Sequence, residues 1–268
     1  MKAMIFAAGL GTRLKPITDN IPKALAPLAG HTLLYHVIMR LKAAGADSFV
    51  VNVHHFPDAV ISYIAAVPEF AGMDIRISDE RDLLLETGGG IRHASALLGG
   101  DGPFLVHNVD IVSDLDINWF RSTADDGAMS TLLVSRRKTQ RYLLFNDDMR
   151  LVGWTNVATG EVKTPFKRLD VEKCSKFAFG GVHLMSPGIF GAFDAVDVRP
   201  EDFPLYDASG NVMPESQNAL GQRFPIMDFY LRAASAYEFR GVAPEGLTLI
   251  DAGKPESLAA AEAFVSGN

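Results

Sequence analysis

The chain of 268 residues has a single cysteine, Cys174, and only two tryptophans. One thiol excludes an internal disulfide and any cysteine-built metal cluster, and Cys174 reads as a bystander. No apolar run approaches the length of about 18 residues that a membrane-spanning helix needs. Met1 leads straight into a strand pattern, without the layered n-region and apolar core of a signal peptide. These absences point to a cytoplasmic protein with no membrane partner. Cations are in the minority, 25 Lys and Arg against 32 Asp and Glu, for a net charge of −7. General nucleic-acid binding wants a basic surface, so nucleic acid is not an expected partner. The seven histidines show no metal-ligand spacing. His54 and His55 are adjacent, and adjacent strand residues face opposite ways; His107 reads as a packing residue. Two familiar phosphate-binding strings are also missing. Leu14 stands where a G-x-G-x-x-G fingerprint beginning at Gly9 would place its last glycine, and no G-x-x-x-x-G-K-[ST] string occurs.

What is present is a regular alternation of strand and helix patterns through the first half. Lys2–Ala8, Ser48–Val53, Asp74–Ser78, Phe104–Asn108 and Met129–Ser135 read as strands. Thr32–Ala44, Pro57–Val67, Gly88–Leu98 and Asp116–Asp125 read as helices, with Gly45 and Gly99-Gly100 as stops and Asp114 and Asp116 as caps. Such alternation implies an α/β fold, a Rossmann-like, mostly parallel sheet with helices on both faces. From about residue 140 to 175 the pattern changes to short strands with turns at Asn146-Asp147-Asp148 and Thr159-Gly160, a small β-rich insert. Lys176–Met185 returns to a buried strand, Ile226–Ala236 reads as a helix, Phe239–Val242 and Thr248–Asp251 as strands, and Pro255–Val265 as a closing helix. No linker, repeat or low-complexity segment interrupts the chain, so the expectation is one domain over residues 1–268, with no C-terminal β-helix. In open sheets of this kind ligands bind beyond the carboxyl ends of the strands.

The first strand ends in the string Ala7-Ala8-Gly9-Leu10-Gly11-Thr12-Arg13-Leu14, and Pro22-Lys23-Ala24-Leu25-Ala26-Pro27 follows. Glycines let a backbone approach a ligand without a Cβ in the way. Backbone N–H groups with Arg13, Lys15 and Lys23 close by are what a polyphosphate needs. The string G-x-G-T-R-L-x-P-x-T with P-K-x-L-x-P resembles the signature of the sugar-1-phosphate nucleotidylyltransferases, through Gly9, Gly11, Thr12, Arg13, Leu14, Pro16, Thr18, Pro22, Lys23, Leu25 and Pro27.

The resemblance implies a nucleotidyltransferase fold of the glycosyltransferase-A type. It also implies transfer of a nucleotidyl group from an NTP to a sugar 1-phosphate, with release of pyrophosphate. It makes Arg13 and Lys23 the phosphate-binding catalytic cations, Asp110 a catalytic Mg²⁺ ligand, and Asp251, in Asp251-Ala252-Gly253-Lys254-Pro255-Glu256, its metal-binding partner. Carboxylates suit a hard ion that keeps waters and bridges to phosphate. Ala7, Ala8, Gly9, Gly11 and Thr12 fall on the nucleotide loop. Glu80 and Thr87-Gly88 fall where relatives pass the base, and Gly89, Asn108 and Gly181 where they meet the sugar phosphate. In Glu86-Thr87-Gly88-Gly89-Gly90, Glu86 stands where many relatives have glycine. That string resembles the branch containing N-acetylmuramate-1-phosphate uridylyltransferases and some heptose- or mannose-1-phosphate enzymes, so UTP with an amino sugar 1-phosphate such as N-acetylmuramate 1-phosphate is the first expectation and mannose-1-phosphate guanylyl transfer the alternative. The glycine run also reads as a helix start with N–H groups aimed at a ligand. One departure stands out: the family's E-K-P string has no counterpart beyond Glu172-Lys173-Cys174, and Trp154-Thr155-Asn156 lacks both charges, which leaves the sugar-phosphate cation unassigned. A phosphocholine cytidylyltransferase-like enzyme would need an aromatic cage, for which Trp119, Trp154 and Tyr142 are available. An inactive regulatory subunit would have lost a cation or a metal aspartate, and all four are present. The expected assembly is a monomer or a homodimer.

Overall fold

The computed structural model describes residues 1–125 and 127–267. The chain divides into two units. The first comprises Met1–Leu84, His93–Asn118 and the segment from Gly246 onward; the second comprises Leu85–Arg92 and Trp119–Glu245.

The first unit is built on four parallel strands in the order Phe104–Asn108, Lys2–Phe6, Ser48–Val53, Asp74–Asp79. Parallel pairing puts all four carboxyl ends on one rim. Three of the strands are nearly continuous apolar runs, with Ala3, Met4, Ile5, Phe49, Val50, Val51, Phe104, Leu105 and Val106 all buried, while Asp74–Asp79 is a half-exposed edge strand. Strands covered on both faces read this way. Helix Leu33–Ala43 buries Leu33, Leu34, Val37, Ile38 and Leu41 at helical spacing, and the Thr32 side chain caps it by accepting from the Tyr35 N–H at 3.1 Å. Beyond the rim, Ile111–Ser113 pairs antiparallel with Leu249–Asp251, which sets Asp251 opposite Ile111.

The second unit carries an antiparallel sheet in the order Glu161–Lys163, Leu151–Asn156, Arg141–Phe145, Ser175–Met185, Ser130–Ser135, with Phe239–Val242 added parallel to Ser130–Ser135. The strands expected between residues 140 and 175 are present and belong to this larger sheet. Gly181 takes a φ of 74° where the Ser175–Met185 strand shifts register against its neighbour, a bulge that only a residue without a Cβ enters easily.

Several element bounds differ from expectation. The Asp116–Asp125 helix is confined to Ile117–Ser122, with Asp116 accepting from the Asn118 N–H; Asp114 instead accepts from the Thr248 N–H. The Gly88–Leu98 helix begins earlier, at Glu86, and is broken at Ala94 into Glu86–His93 and Ser95–Leu98. No helix among the described residues is long and apolar enough to cross a membrane.

His107, on the strand that leads to the rim, is buried, and its Nδ1 donates to the Asn108 carbonyl at 2.7 Å. Burial, reinforced by Arg40, pushes the imidazole down to about 4 against the partial opposition of that hydrogen bond. An unfolded chain protonates this ring near its ordinary value of 6.5, whereas the folded chain resists until about 4. Its contribution is therefore complete above pH 6.5 and is lost as pH falls from 6.5 to about 4, a swing of about 3 kcal/mol. Urea unfolding of the wild type and of His107→Leu across that range checks this. The wild-type slope is expected to be the steeper, and parallel slopes would exclude His107 as its source.

Candidate functional site

Four side chains expected to act together meet at the rim of the first unit. Gly11 takes a φ of 68°, and a Cβ on it would come within 2.9 Å of the Thr18 side chain. The Thr18 hydroxyl donates to the Gly11 carbonyl at 2.7 Å. These two motif residues thus fold the loop onto itself and bring Thr12–Leu14 round as a short 3₁₀ turn. The N–H groups of Gly9, Leu10 and Gly11 meet no acceptor among the described residues, and Gly9 and Leu10 are exposed. By contrast, the N–H groups of Ala7 and Ala8 are engaged by the Asn52 Oδ1, at 2.8 and 3.3 Å. Those two expected nucleotide-binding residues support the loop with their N–H groups rather than presenting them.

Arg13 reaches back to Asp251, with Nη1 3.6 Å from Oδ2. Lys23, at the start of the 3₁₀ turn Lys23–Leu25, forms a largely buried ion pair and hydrogen bond with the Asp110 carboxylate. The two aspartates come from distant parts of the chain and are brought together by the backbone. The Ala252 N–H donates to the Asp110 carbonyl at 2.8 Å, in continuation of the Ile111–Ser113 and Leu249–Asp251 pairing. Burial works to raise the Asp251 carboxyl, but Arg13, the Gly253 N–H and Lys23 outweigh it and hold the group below the usual carboxylate range.

Gly253 completes the arrangement. A Cβ built on it would lie 2.6 Å from Asp251 Oδ1, 2.9 Å from Arg13 Nη2 and 3.0 Å from Asp110 Oδ2. The position a methyl group would fill is therefore ringed by two carboxylate oxygens and a guanidinium. The two carboxylates suit a hard divalent cation, whereas the guanidinium, itself a cation, cannot ligate one. Among the described residues no group of three or more His, Cys, Asp or Glu is placed to hold a metal. Two carboxylates leave coordination positions for water and substrate phosphates, which is how Mg²⁺ is usually bound.

The other expected residues are placed as follows. Asn108 is half-buried at the end of its strand, next to the rim. Glu80 is buried, and its Oε1 accepts from Asn52 Nδ2 at 2.8 Å. Lys15 turns to Asp19 at 3.3 Å, away from the cluster. Thr87, Gly88, Gly89 and Gly181 belong to the second unit. There the N–H groups of Gly88 and Gly89 donate to the Phe224 carbonyl, at 2.9 and 3.2 Å, instead of aiming at a ligand. A Cβ on Gly88 would strike the Phe224 ring at 2.2 Å and one on Gly89 the Gln222 carbonyl oxygen at 2.2 Å. The Thr87 hydroxyl accepts from the Ile226 N–H, and Glu86 pairs with Arg223 at 2.9 Å. The glycine run thus admits the 222–226 segment against the helix start. Glu172 and Lys173 lie on an exposed turn and pair locally with Lys176 and Asp170.

Two features escaped the sequence reading. Asn52 lies inside an apolar strand with no motif around it. Lys163 is the antiparallel partner of Trp154, its Nζ 6.0 Å from the ring, and only the strand register makes that visible. Tyr142 pairs with Thr155, the residue after Trp154, so Tyr142 and Trp154 sit on opposite faces of that sheet and do not form two walls of one cage.

A sheet rim carrying a glycine loop, two cations and two facing carboxylates is the kind of arrangement that nucleotide-transferring enzymes present. The family model for nucleotidyl transferases matches residues 2–144. N-acetylmuramate α-1-phosphate uridylyltransferase of Caulobacter vibrioides is 36% identical over 269 aligned residues, covering 97% of this chain and 95% of that one. A protein of the same name from Neisseria meningitidis serogroup B is 43% identical over 46% of this chain and 53% of its own length. Mannose-1-phosphate guanyltransferase of Candida albicans is 28% identical, over 76% of this chain and 56% of its own length. Among solved structures, UDP-glucose pyrophosphorylase complexed with UDP-glucose superposes with a TM-score of 0.70 at 16% identity, over 100% and 99% of the two chains. The inositol-1-phosphate CTP transferase of T. maritima gives 0.68 at 13% identity, over 98% and 96%. The chain belongs to the nucleotidyl transferase family.

The Gly253 cradle yields a direct test. Gly253→Ala is expected to fold normally and to lower both Mn²⁺ affinity, followed by its EPR signal, and nucleotidyl transfer, by about tenfold or more (~1.4 kcal/mol). Unchanged Mn²⁺ binding would place the metal elsewhere.

Proposed function

We propose that this enzyme transfers the uridylyl group of UTP to N-acetylmuramate 1-phosphate, giving the UDP-sugar and pyrophosphate. One observation carries the reading: Arg13, Lys23, Asp110 and Asp251 converge around Gly253 on the rim where the nucleotide loop opens. The choice of base and sugar is supported by the similarity to the Caulobacter vibrioides uridylyltransferase, which extends over nearly the whole of both chains.

In this reading a phosphate oxygen of the sugar 1-phosphate attacks the α-phosphorus of the triphosphate. The bond from that phosphorus to the bridging oxygen breaks, and pyrophosphate leaves with the electron pair. The protein's task is to bring two polyanions together and to neutralise them. Asp110 and Asp251 would hold a Mg²⁺ ion, which would supply neutralising charge at the phosphates. The open N–H groups of Gly9, Leu10 and Gly11 take phosphate oxygens. The planar fork of Arg13 grips the transferring phosphate, and Lys23 supplies a point charge beside Asp110. Asn108, the last residue of its strand, lies at the same rim.

The test is pyrophosphate release across the four common NTPs and dTTP, crossed with a panel of sugar 1-phosphates, with Mg²⁺ and with chelator. UTP with N-acetylmuramate 1-phosphate is expected to give the largest metal-dependent signal. A larger signal for GTP with mannose 1-phosphate would overturn the assignment of substrates. Arg13→Ala is expected to lower kcat by about 100-fold or more, with a smaller effect on sugar-phosphate binding, and Asp110→Asn to abolish turnover. A near-normal rate for Asp110→Asn at saturating Mg²⁺ would remove Asp110 from the metal site.

A further inference from the structure

Asn52 occupies the position before the last in the Ser48–Val53 strand and is buried at 2% exposure. Its Oδ1 accepts from two consecutive N–H groups, those of Ala7 and Ala8, and its Nδ2 donates to Glu80 Oε1 at 2.8 Å. Glu80 is equally buried, at 3%, and its backbone is held at three points. Its N–H donates to the Val53 carbonyl, and its carbonyl accepts from His54 Nδ1 and from the Leu83 N–H.

An asparagine amide is nearly symmetric in shape, so shape alone does not decide which end faces the loop. Glu80 Oε1 takes the Nδ2 end as acceptor, which leaves Oδ1 turned toward the Ala7 and Ala8 N–H groups, donors that only an oxygen can satisfy. With the amide reversed, NH₂ would face two N–H groups, and two buried donors would lose their acceptor, an expensive arrangement. The residues that follow, Gly9 to Gly11, are those whose N–H groups are open. We infer that Asn52 and Glu80 are positioning residues. Glu80 orients the Asn52 amide, and Asn52 fixes the point from which the Gly9–Arg13 loop springs. Glu80 therefore acts through Asn52 on the loop and does not contact the base. The inference rests on the reading of that loop as the triphosphate site.

Backbone amide exchange in the chain without metal or nucleotide tests the pairing apart from that reading. In Glu80→Leu, exchange at Ala7 and Ala8 is expected to rise at least tenfold while residues 3–6 stay protected. In Glu80→Gln, which keeps an acceptor oxygen for Asn52, protection at Ala7 and Ala8 is expected to return. Unchanged protection at Ala7 and Ala8 in Glu80→Leu would overturn the inference. A second arm uses UTP kcat/KM. Glu80→Leu is expected to lower it about 100-fold, the scale on which small misplacements of catalytic groups act. In an Asn52→Leu background the same change is expected to cost nothing further. A loss that persists in that background would mean that Glu80 touches the ligand itself. Should Glu80→Leu fail to fold, reversing the pair serves instead. Asn52→Asp alone is expected to lose activity, and Asn52→Asp with Glu80→Gln to regain it. In the double variant a carboxylate accepts both from the loop N–H groups and from the amide of the introduced glutamine. Failure to regain would overturn the inference. If the wild type itself shows no nucleotide turnover, the reading of the site fails while the exchange arm still decides the pairing.

Discussion

The structure of the site depends on holding two carboxylates, Asp110 and Asp251, side by side. Like charges in contact repel, and partial burial raises the cost of ionising either. The fold offsets this from both sides. Lys23 stands against Asp110 and Arg13 against Asp251, while the Gly253 N–H donates to Asp251. The antiparallel pairing of Ile111–Ser113 with Leu249–Asp251 supplies the rigidity that keeps the aspartates from separating. The charges of the free protein are therefore balanced within the same four side chains that the proposed reaction would use. The cations that neutralise the carboxylates are also those that a polyphosphate would recruit.

The parallel sheet explains why these groups meet. Four strands ending on one rim deliver the loop after Phe6, Asn52 near the end of the second strand, Glu80 after the third and Asp110 after the fourth. The three inner strands are apolar because both their faces are covered, whereas the edge strand Asp74–Asp79 is half-exposed and carries Asp74 and Arg76. Asn52 is an informative exception: a buried amide in an apolar strand is tolerated because both of its ends are satisfied. The glycine-rich start of the Glu86–His93 helix shows a different use of small residues. Gly88 and Gly89 admit the Phe224 ring and the Gln222 backbone, and the Phe224 carbonyl takes the N–H groups that the helix start leaves over.

Much of this was legible beforehand. The alternation of apolar strands with amphipathic helices pointed to the α/β class, and the string from Gly9 to Pro27 identified the loop and its cations. The bounds that shifted are those governed by local competition. Asp116 caps a helix of a single turn or so, and Ala94 interrupts what a periodic pattern joins. The β-rich stretch was recognised, but its place in a larger sheet was not. Pairing partners that lie far apart along the chain, such as Ser130–Ser135 and Phe239–Val242, leave no periodic mark.

By itself, the sequence determined the chemistry available: a glycine loop, an arginine, a lysine and two aspartates following strands, on a chain of net negative charge. These are properties of residue type and short spacing, which local patterns carry. Only the tertiary structure decided which of those residues share a site. It brought Asp251 to Asp110, turned Lys15 aside to Asp19, placed the exposed Glu172-Lys173 turn among its own local pairs, and linked Glu80 through Asn52 to Ala7 and Ala8. Contacts across so many residues are set by strand order, register and side-chain direction, quantities that exist only once the chain has folded.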